Sequence, residues 1–282
     1  DIFAVQLYAN GTVVLNVKLI FQSVTDINFQ GIRTVRKILS FVQQIPVERV
    51  IIVVVAITVL LIISSFDFWV NWVRVGTPMP DGYHITLFVQ SIRSEVFGSF
   101  IPILAAVLTS ANYVEIIKNK VTAFILIRSD YYSFLFSILG LCFLSGGGVL
   151  LGGAIISYSG VALLLSPAEV IEKTQVVPYM NLWQTLWLLF LNGGFWASVG
   201  ISISAFIESK YVAYLAPFVS YYILVILCER YLPDVFLLNP RNWLSPDVWP
   251  YGILGGTAFL LELTVLCGAA FVIRAERRLH KL

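Results

Sequence analysis

Apolar residues gather in long uninterrupted runs along this chain, and the charged residues fall between them. A helix needs about 20 apolar residues to cross about 30 Å of hydrocarbon. Six runs meet that length: residues 50–72, which begin VIIVVVAITVLLII, then 96–114, 131–168, 183–207, 211–228 and 251–273. The run 131–168 holds 38 residues without an acid or a base. Breaking it at Gly146-Gly147-Gly148 leaves halves of about 15 to 19 residues and no turn, so one long helix is expected. The pattern predicts an all-α membrane protein with six transmembrane helices.

Two segments precede the first run. Within residues 31–46, Ile32, Val35, Ile38, Leu39, Val42 and Ile45 share one helical face, and Arg33, Arg36 and Lys37 lie away from it. This predicts an amphipathic helix lying in the membrane interface, ended by Pro46. Residues 31–282 then form the transmembrane domain. Residues 1–30 form a separate N-terminal segment, where Asn10-Gly11 between two apolar stretches is a hairpin signal. A lone hairpin is marginal in water and needs a partner or a bilayer surface.

Composition agrees with the pattern. Hydrophobic residues make up 59% of 282 and charged residues only 12%, against about 25% in a soluble domain. The mean hydropathy is +0.87. Such a chain cannot cover a water-exposed surface, which excludes a soluble enzyme, a nucleic-acid-binding module and a disordered tail. A net charge of +2 gives no reason to expect a polyanion. Cys142, Cys228 and Cys267 all sit in apolar runs, and with His84 and His280 as the two histidines no metal or disulfide framework is expected.

Lysine and arginine set the orientation. With both termini cytoplasmic, 13 of the 18 basic residues lie on the cytoplasmic side and 5 outside. Trp69, Trp72, Trp183, Trp187, Trp243 and Trp249 then lie near the outer ends of spans, as an interfacial belt. The expected location is the plasma membrane, crossed several times. Pro233, Pro240, Pro246 and Pro250 punctuate the last outer segment, which reads as short half-helices dipping into the bilayer.

No G-x-x-x-x-G-K-[ST] or H-E-x-x-H occurs, so nucleotide hydrolysis through a phosphate-binding loop and HExxH zinc proteolysis are excluded. Ser198, in Trp196-Ala-Ser-Val-Gly200, lacks the first glycine of a nucleophile elbow and reads as a small packing residue. No catalytic, cofactor-binding or metal-ligating residue is expected on this chain. Three polar residues within spans remain as pathway candidates. They are Glu262 at the centre of the sixth span, Asp67 near the outer end of the first, and Asn192 in the fourth, beside Gly193-Gly194. A mid-span charge is expensive and must face protein or water, or be neutral.

The cytoplasmic stretch 113–132 is too apolar for a solvated linker and too charged for a span. Ile116, Val121, Phe124, Ile125 and Ile127 alternate with Glu115, Lys118, Lys120, Arg128 and Asp130. That mixture suits a short helix docked on a soluble partner, or one lying in the interface. The order of elements resembles the membrane-spanning subunits of type-2 ATP-binding-cassette exporters, the ABC exporter permeases. Residues 101–115, ending in Tyr113-Val-Glu115, are similar to the family's second span with its aromatic-x-Glu before a coupling helix. Here Lys120-Val121 replaces the family's Gly-Thr, a departure that bears on the coupling geometry. Residues 193–217 resemble its fourth-to-fifth connection, and Leu238-Asn-Pro-Arg-Asn-Trp-Leu-Ser245 resembles its outer segment.

The resemblance implies a permease that forms the translocation pathway with a second copy or a paralogue. Separate ATP-binding subunits, holding ATP and Mg, would dock on Glu115, Lys118, Lys120, Phe124 and Arg128. Glu115 would cap or anchor the coupling helix. A secondary transporter, which should show inverted repeats and paired intramembrane charges, and a non-transporting scaffold or immunity protein are the other readings. The topology is directly testable. In a His280→Cys variant, an impermeant thiol reagent added to intact cells should leave position 280 unlabelled; labelling there reverses the assignment.

Overall fold

The computed structural model describes residues 47–75, 79–118, 131–170, 179–207 and 209–279. The expected hairpin in 1–30, the amphipathic helix 31–46, and Lys120, Phe124 and Arg128 of the coupling segment lie outside the described residues. The described part is helical: α1 (Val47–Ser64), α2 (Phe66–Val75), α3 (Tyr83–Ile92), α4 (Glu95–Ala106), α5 (Asn112–Lys118), α6 (Tyr131–Leu165), α7 (Tyr179–Ile207), α8 (Lys210–Arg230) and α9 (Ile253–Leu279). Two-residue strands β1 (Met79–Pro80) and β2 (Glu169–Val170) form one parallel bridge. Five helices are long and apolar enough to cross a membrane, and α3 with α4 makes a sixth span if the bent pair counts as one.

The run 131–168 is one helix of 35 residues followed by a 3-10 turn, as expected. Two spans differ from the sequence reading. The first is interrupted at Ser65, where Ser64 and Ser65 donate their hydroxyls to the carbonyls of Leu60 and Leu61, both at 2.8 Å. Such back-bonding bends helices.

The second span does not begin at Val96. The stretch before it, expected as an outer loop, contains α3, which buries Ile85, Leu87, Phe88, Val89 and Ile92. It meets α4 at a 63° bend, and Ser94 caps the new helix by accepting from the Phe97 N–H at 3.2 Å. Ten residues are too few to read as a span, which is why the pattern hides α3.

Helix α7 is the hub, touching α3, α4, α5, α6, α8 and α9. Its most apolar stretch is 83% buried, against 17% for α1 and 22% for α9. Lipid tails are as apolar as leucine, so burial from water does not draw such helices together. Close backbone approach and interhelical hydrogen bonds do. The glycines of α6 and α7 supply the approach. A Cβ on Gly146 would sit 2.5 Å from Ala197 Cβ and 2.8 Å from Gly193 O. One on Gly193 would sit 2.7 Å from Gly146 O and from Leu150 Cδ1. Hydrogen bonds add to it: Thr58 to Ser157 at 2.9 Å, Ser110 to Ala197 O at 3.2 Å, and Ser202 to Cys267 O at 2.9 Å. Ser198 is fully buried and donates to Gly194 O within α7 at 2.8 Å, the packing role expected of it.

The segment between α8 and α9 folds into the bundle as three 3-10 turns, Phe236–Leu238, Pro240–Asn242 and Pro246–Val248, rather than half-helices. Trp243 is completely buried, stacked on Trp196 at 5.7 Å and edge-on to Phe195 and Phe259. Its indole N–H donates to Leu237 O at 2.9 Å. Trp243 and Trp249 therefore belong to the core, not to an interfacial belt. Trp183 and Trp187 are exposed, at 66% and 46%, as belt residues are.

The glycine contact makes a graded prediction. Gly193→Ala should cost about 1–3 kcal/mol by overpacking. Gly148 has nothing within 4 Å of a new Cβ, so Gly148→Ala should gain about 0.5–1 kcal/mol from helix propensity. Thermal unfolding of both variants in one detergent checks the sign of each; equal shifts would remove the close contact from the account.

Candidate functional site

At the predicted cytoplasmic end, five elements converge. Tyr132, in the first turn of α6, donates to Glu276 of α9 at 2.7 Å, and Arg274 lies over the Phe206 ring at 5.2 Å. Glu115 lies in the first turn of α5, where a carboxylate complements exposed N–H groups. Its Oε1 is 2.8 Å from Nζ of Lys210, the first residue of α8. A lysine at a helix start opposes that helix's own dipole, and Glu115 offsets it. Both partners are partly exposed, so the pair contributes about 0.2–1 kcal/mol. Two residues earlier Tyr113 is 1% exposed and packs edge-on to Phe271 at 4.9 Å. The aromatic-x-Glu motif thus grips α9 with its ring and α8 with its acid. Lys118 closes α5 and is exposed.

The three intramembrane candidates do not form one site. Asp67 is exposed in the first turn of α2, a rim charge. Glu262 is exposed on the outer face of α9 with Leu261, Val265 and Leu266, nine residues or about 14 Å from the helix start. Asn192 is buried in α7 at 3% exposure, and its Oδ1 has no hydrogen-bond partner.

Between Asn192, midway along α7, and the predicted outer end lies a charged network that the sequence pattern does not show. Arg93, at the α3–α4 bend, donates to Thr185 Oγ1 at 2.9 Å and lies 3.4 Å from Asp247. Arg241 lies 2.6 Å from Glu229 and 3.3 Å from Glu95. Asn239 accepts from the Arg241 N–H at 3.1 Å and caps the turn that presents it. The network joins α3, α4, α7 and α8 to the inserted segment. Its one legible signal was the Asn-Pro-Arg-Asn-Trp stretch, in which every polar residue turns out to be bonded.

A second cluster joins α3 to the end of α6. Glu169 accepts from the backbone N–H groups of Gly82 at 3.2 Å and His84 at 2.8 Å, and its Oε1 lies 2.8 Å from His84 Nδ1. A carboxylate only accepts, so Nδ1 carries the proton. Nε2 then faces the Tyr158 hydroxyl at 3.3 Å. Glu169 acts as an N-cap for α3 from 85 residues away, because Gly82, at φ 75°, offers no side chain for the purpose. Burial pushes the Glu169 carboxyl up, but the His84 N–H, the His84 ring and the Gly82 N–H outweigh it, and the group titrates below its ordinary 4.5.

Between α1, α2, α3 and α6 lies a cavity of about 340 Å³, lined among others by Leu61, Leu87, Phe88 and Val161. Its hydroxyls are committed to carbonyls of their own helices: Thr58 to Val54, Ser65 to Leu61, Ser91 to Leu87 and Ser157 to Gly153. It therefore presents apolar surface. Among the described residues no three His, Cys, Asp or Glu side chains gather as a metal site would require. No protein-family model, no curated protein and no solved structure matches this chain.

The Glu169 cap predicts an acid-labile corner. Its folded pKa is depressed, so its stabilisation is present above about 4.5 and is lost as pH falls through the lower folded value. Glu169→Gln should cost about 1.5–3 kcal/mol, the worth of a charge-assisted bond. It should also flatten the acid limb of the stability profile. Unfolding midpoints of both proteins measured from about pH 7 to about pH 3 test this; parallel profiles would assign the acid limb to other groups.

Proposed function

We propose that this chain is the membrane-spanning permease subunit of an ATP-driven exporter of the type-2 ATP-binding-cassette class. It works as a pair of permeases with separate ATP-binding subunits that carry ATP and Mg. The observation that supports this best is the Glu115–Lys210 pair at 2.8 Å with Tyr113 buried against Phe271. Together they hold the start of α5 to α8 and α9, and in the sequence the mixed apolar and charged stretch 119–130 follows α5 directly. A segment that passes on force from a soluble motor needs that kind of attachment. ATP-driven closure of the partner subunits would move the segment, and the Glu115 anchor would pass the movement to α8 and α9. Binding energy must differ between the two states of the bundle for the cycle to run. The sequence holds no G-x-x-x-x-G-K-[ST], which supports placing hydrolysis on a partner subunit in this reading.

The purified chain should show no ATPase activity, and the reconstituted complex should hydrolyse ATP. At matched expression and low salt, Glu115→Gln should insert and dimerise normally but stimulate its ATPase partner less. The exchange of Glu115→Lys with Lys210→Glu should restore part of the loss. Robust hydrolysis by the isolated chain, free of contaminants, would overturn the assignment. Equal stimulation by wild type and Glu115→Gln would remove the anchor from it.

A further inference from the structure

We propose that a single water molecule is bound beside Asn192, joining it to Arg93 beneath the inserted outer segment. The cavity there measures about 20 Å³ and is lined by Arg93, Glu95, Asn192, Tyr221, Arg241 and Leu244, among others. One water needs about 10–15 Å³ by the same measure, together with two to four polar partners. Larger guests do not fit.

Two atoms of the lining side chains are buried without a hydrogen-bond partner: Arg93 Nε, a donor, and Asn192 Oδ1, an acceptor. Buried polar groups are nearly always paired, by protein or by ordered water. Arg93 spends its two terminal nitrogens on Thr185 and Asp247, so Nε remains. The guest must accept one hydrogen bond and donate another. Ammonium cannot accept from Nε–H. Chloride has no proton for Oδ1 and would meet a network in which Glu95, Glu229 and Asp247 outnumber Arg93 and Arg241. A sodium ion would face two guanidinium groups. Water satisfies both atoms and carries no charge.

The bound water turns the α3–α4 bend and the middle of α7 into one hydrogen-bonded joint. It also explains why a polar side chain is kept at 3% exposure in a helix whose neighbours on both sides are apolar or glycine.

Hydroxyl-radical labelling by a brief X-ray pulse tests it, on the full chain in lipid nanodiscs. Bound water is split in place and labels adjacent side chains that bulk solvent does not reach. Leu244 lines the cavity and Leu189 does not, and both are buried, at 3% and 0% exposure. In the wild type Leu244 should be labelled several-fold more than Leu189. Asn192→Leu, which fills the cavity and removes the acceptor, should bring Leu244 down to the level of Leu189. Asn192→Ser keeps an acceptor and room for water, and should keep the labelling. Equal labelling of the two leucines in the wild type, or strong Leu244 labelling in Asn192→Leu, overturns the proposal. If Asn192→Leu does not fold, the wild-type ratio and Asn192→Ser decide it.

Discussion

Helices in a bilayer gain nothing from escaping water, so whatever holds this bundle together must come from contact itself. Here the decisive contact is backbone against backbone between α6 and α7. Gly146 and Gly193 face one another with no space for a methyl group between them. At that separation the dispersion terms of two whole helices add up, and α7 can be surrounded on nearly every side. The same closeness explains the rest of the arrangement. With α7 encased by α6, α8, α9 and α4, α1 and α9 are left on the perimeter with apolar side chains turned outward.

The encased helix cannot satisfy polar side chains with lipid, so its own backbone and its neighbours share that burden. Ser198 and Ser202 donate to carbonyls, and Thr185 receives Arg93. The inserted segment does the same from outside. Asn239, Asn242 and Trp243 each spend a polar group on nearby backbone, so a stretch with no long helix survives next to the core. Irregular backbone beside an apolar core is tolerated where protein covers it, and the stacked Trp196–Trp243 pair is part of that cover.

Much of this was legible in the sequence, and the failures have physical reasons. Long apolar runs announced the membrane helices because crossing hydrocarbon demands length. Of the five glycines between Gly146 and Gly153, Gly146, Gly147 and Gly153 lie against a neighbouring helix where a Cβ would sit, while Gly148 and Gly152 meet nothing, so the cluster marked the close contact without saying which glycine makes it. α3 was hidden because a ten-residue helix carries no length signal, and its cap comes from Glu169, 85 residues away. Trp243 was misassigned because proximity to a span end looks the same in one dimension whether the chain folds outward or inward. Among the site residues, Glu115 stood out through its motif and position. Its partner Lys210, and the Arg93 and Arg241 network, depend on pairings between distant segments that a local pattern cannot supply.

The length of α6 has a mechanical consequence. Its 35 residues make a rod of about 52 Å, well beyond the hydrocarbon thickness of about 30 Å. One end starts beside Glu276 of α9, and the other carries the turn that presents Glu169 to α3. A rigid rod clamped near its middle by Gly146 behaves as a lever with two arms. A rocking of about 10° about that fulcrum displaces each tip of a helix this long by about 4–5 Å. That is close to the rise of one helical turn, about 5.4 Å, delivered at the end that carries Glu169 and its bonds to the α3 corner.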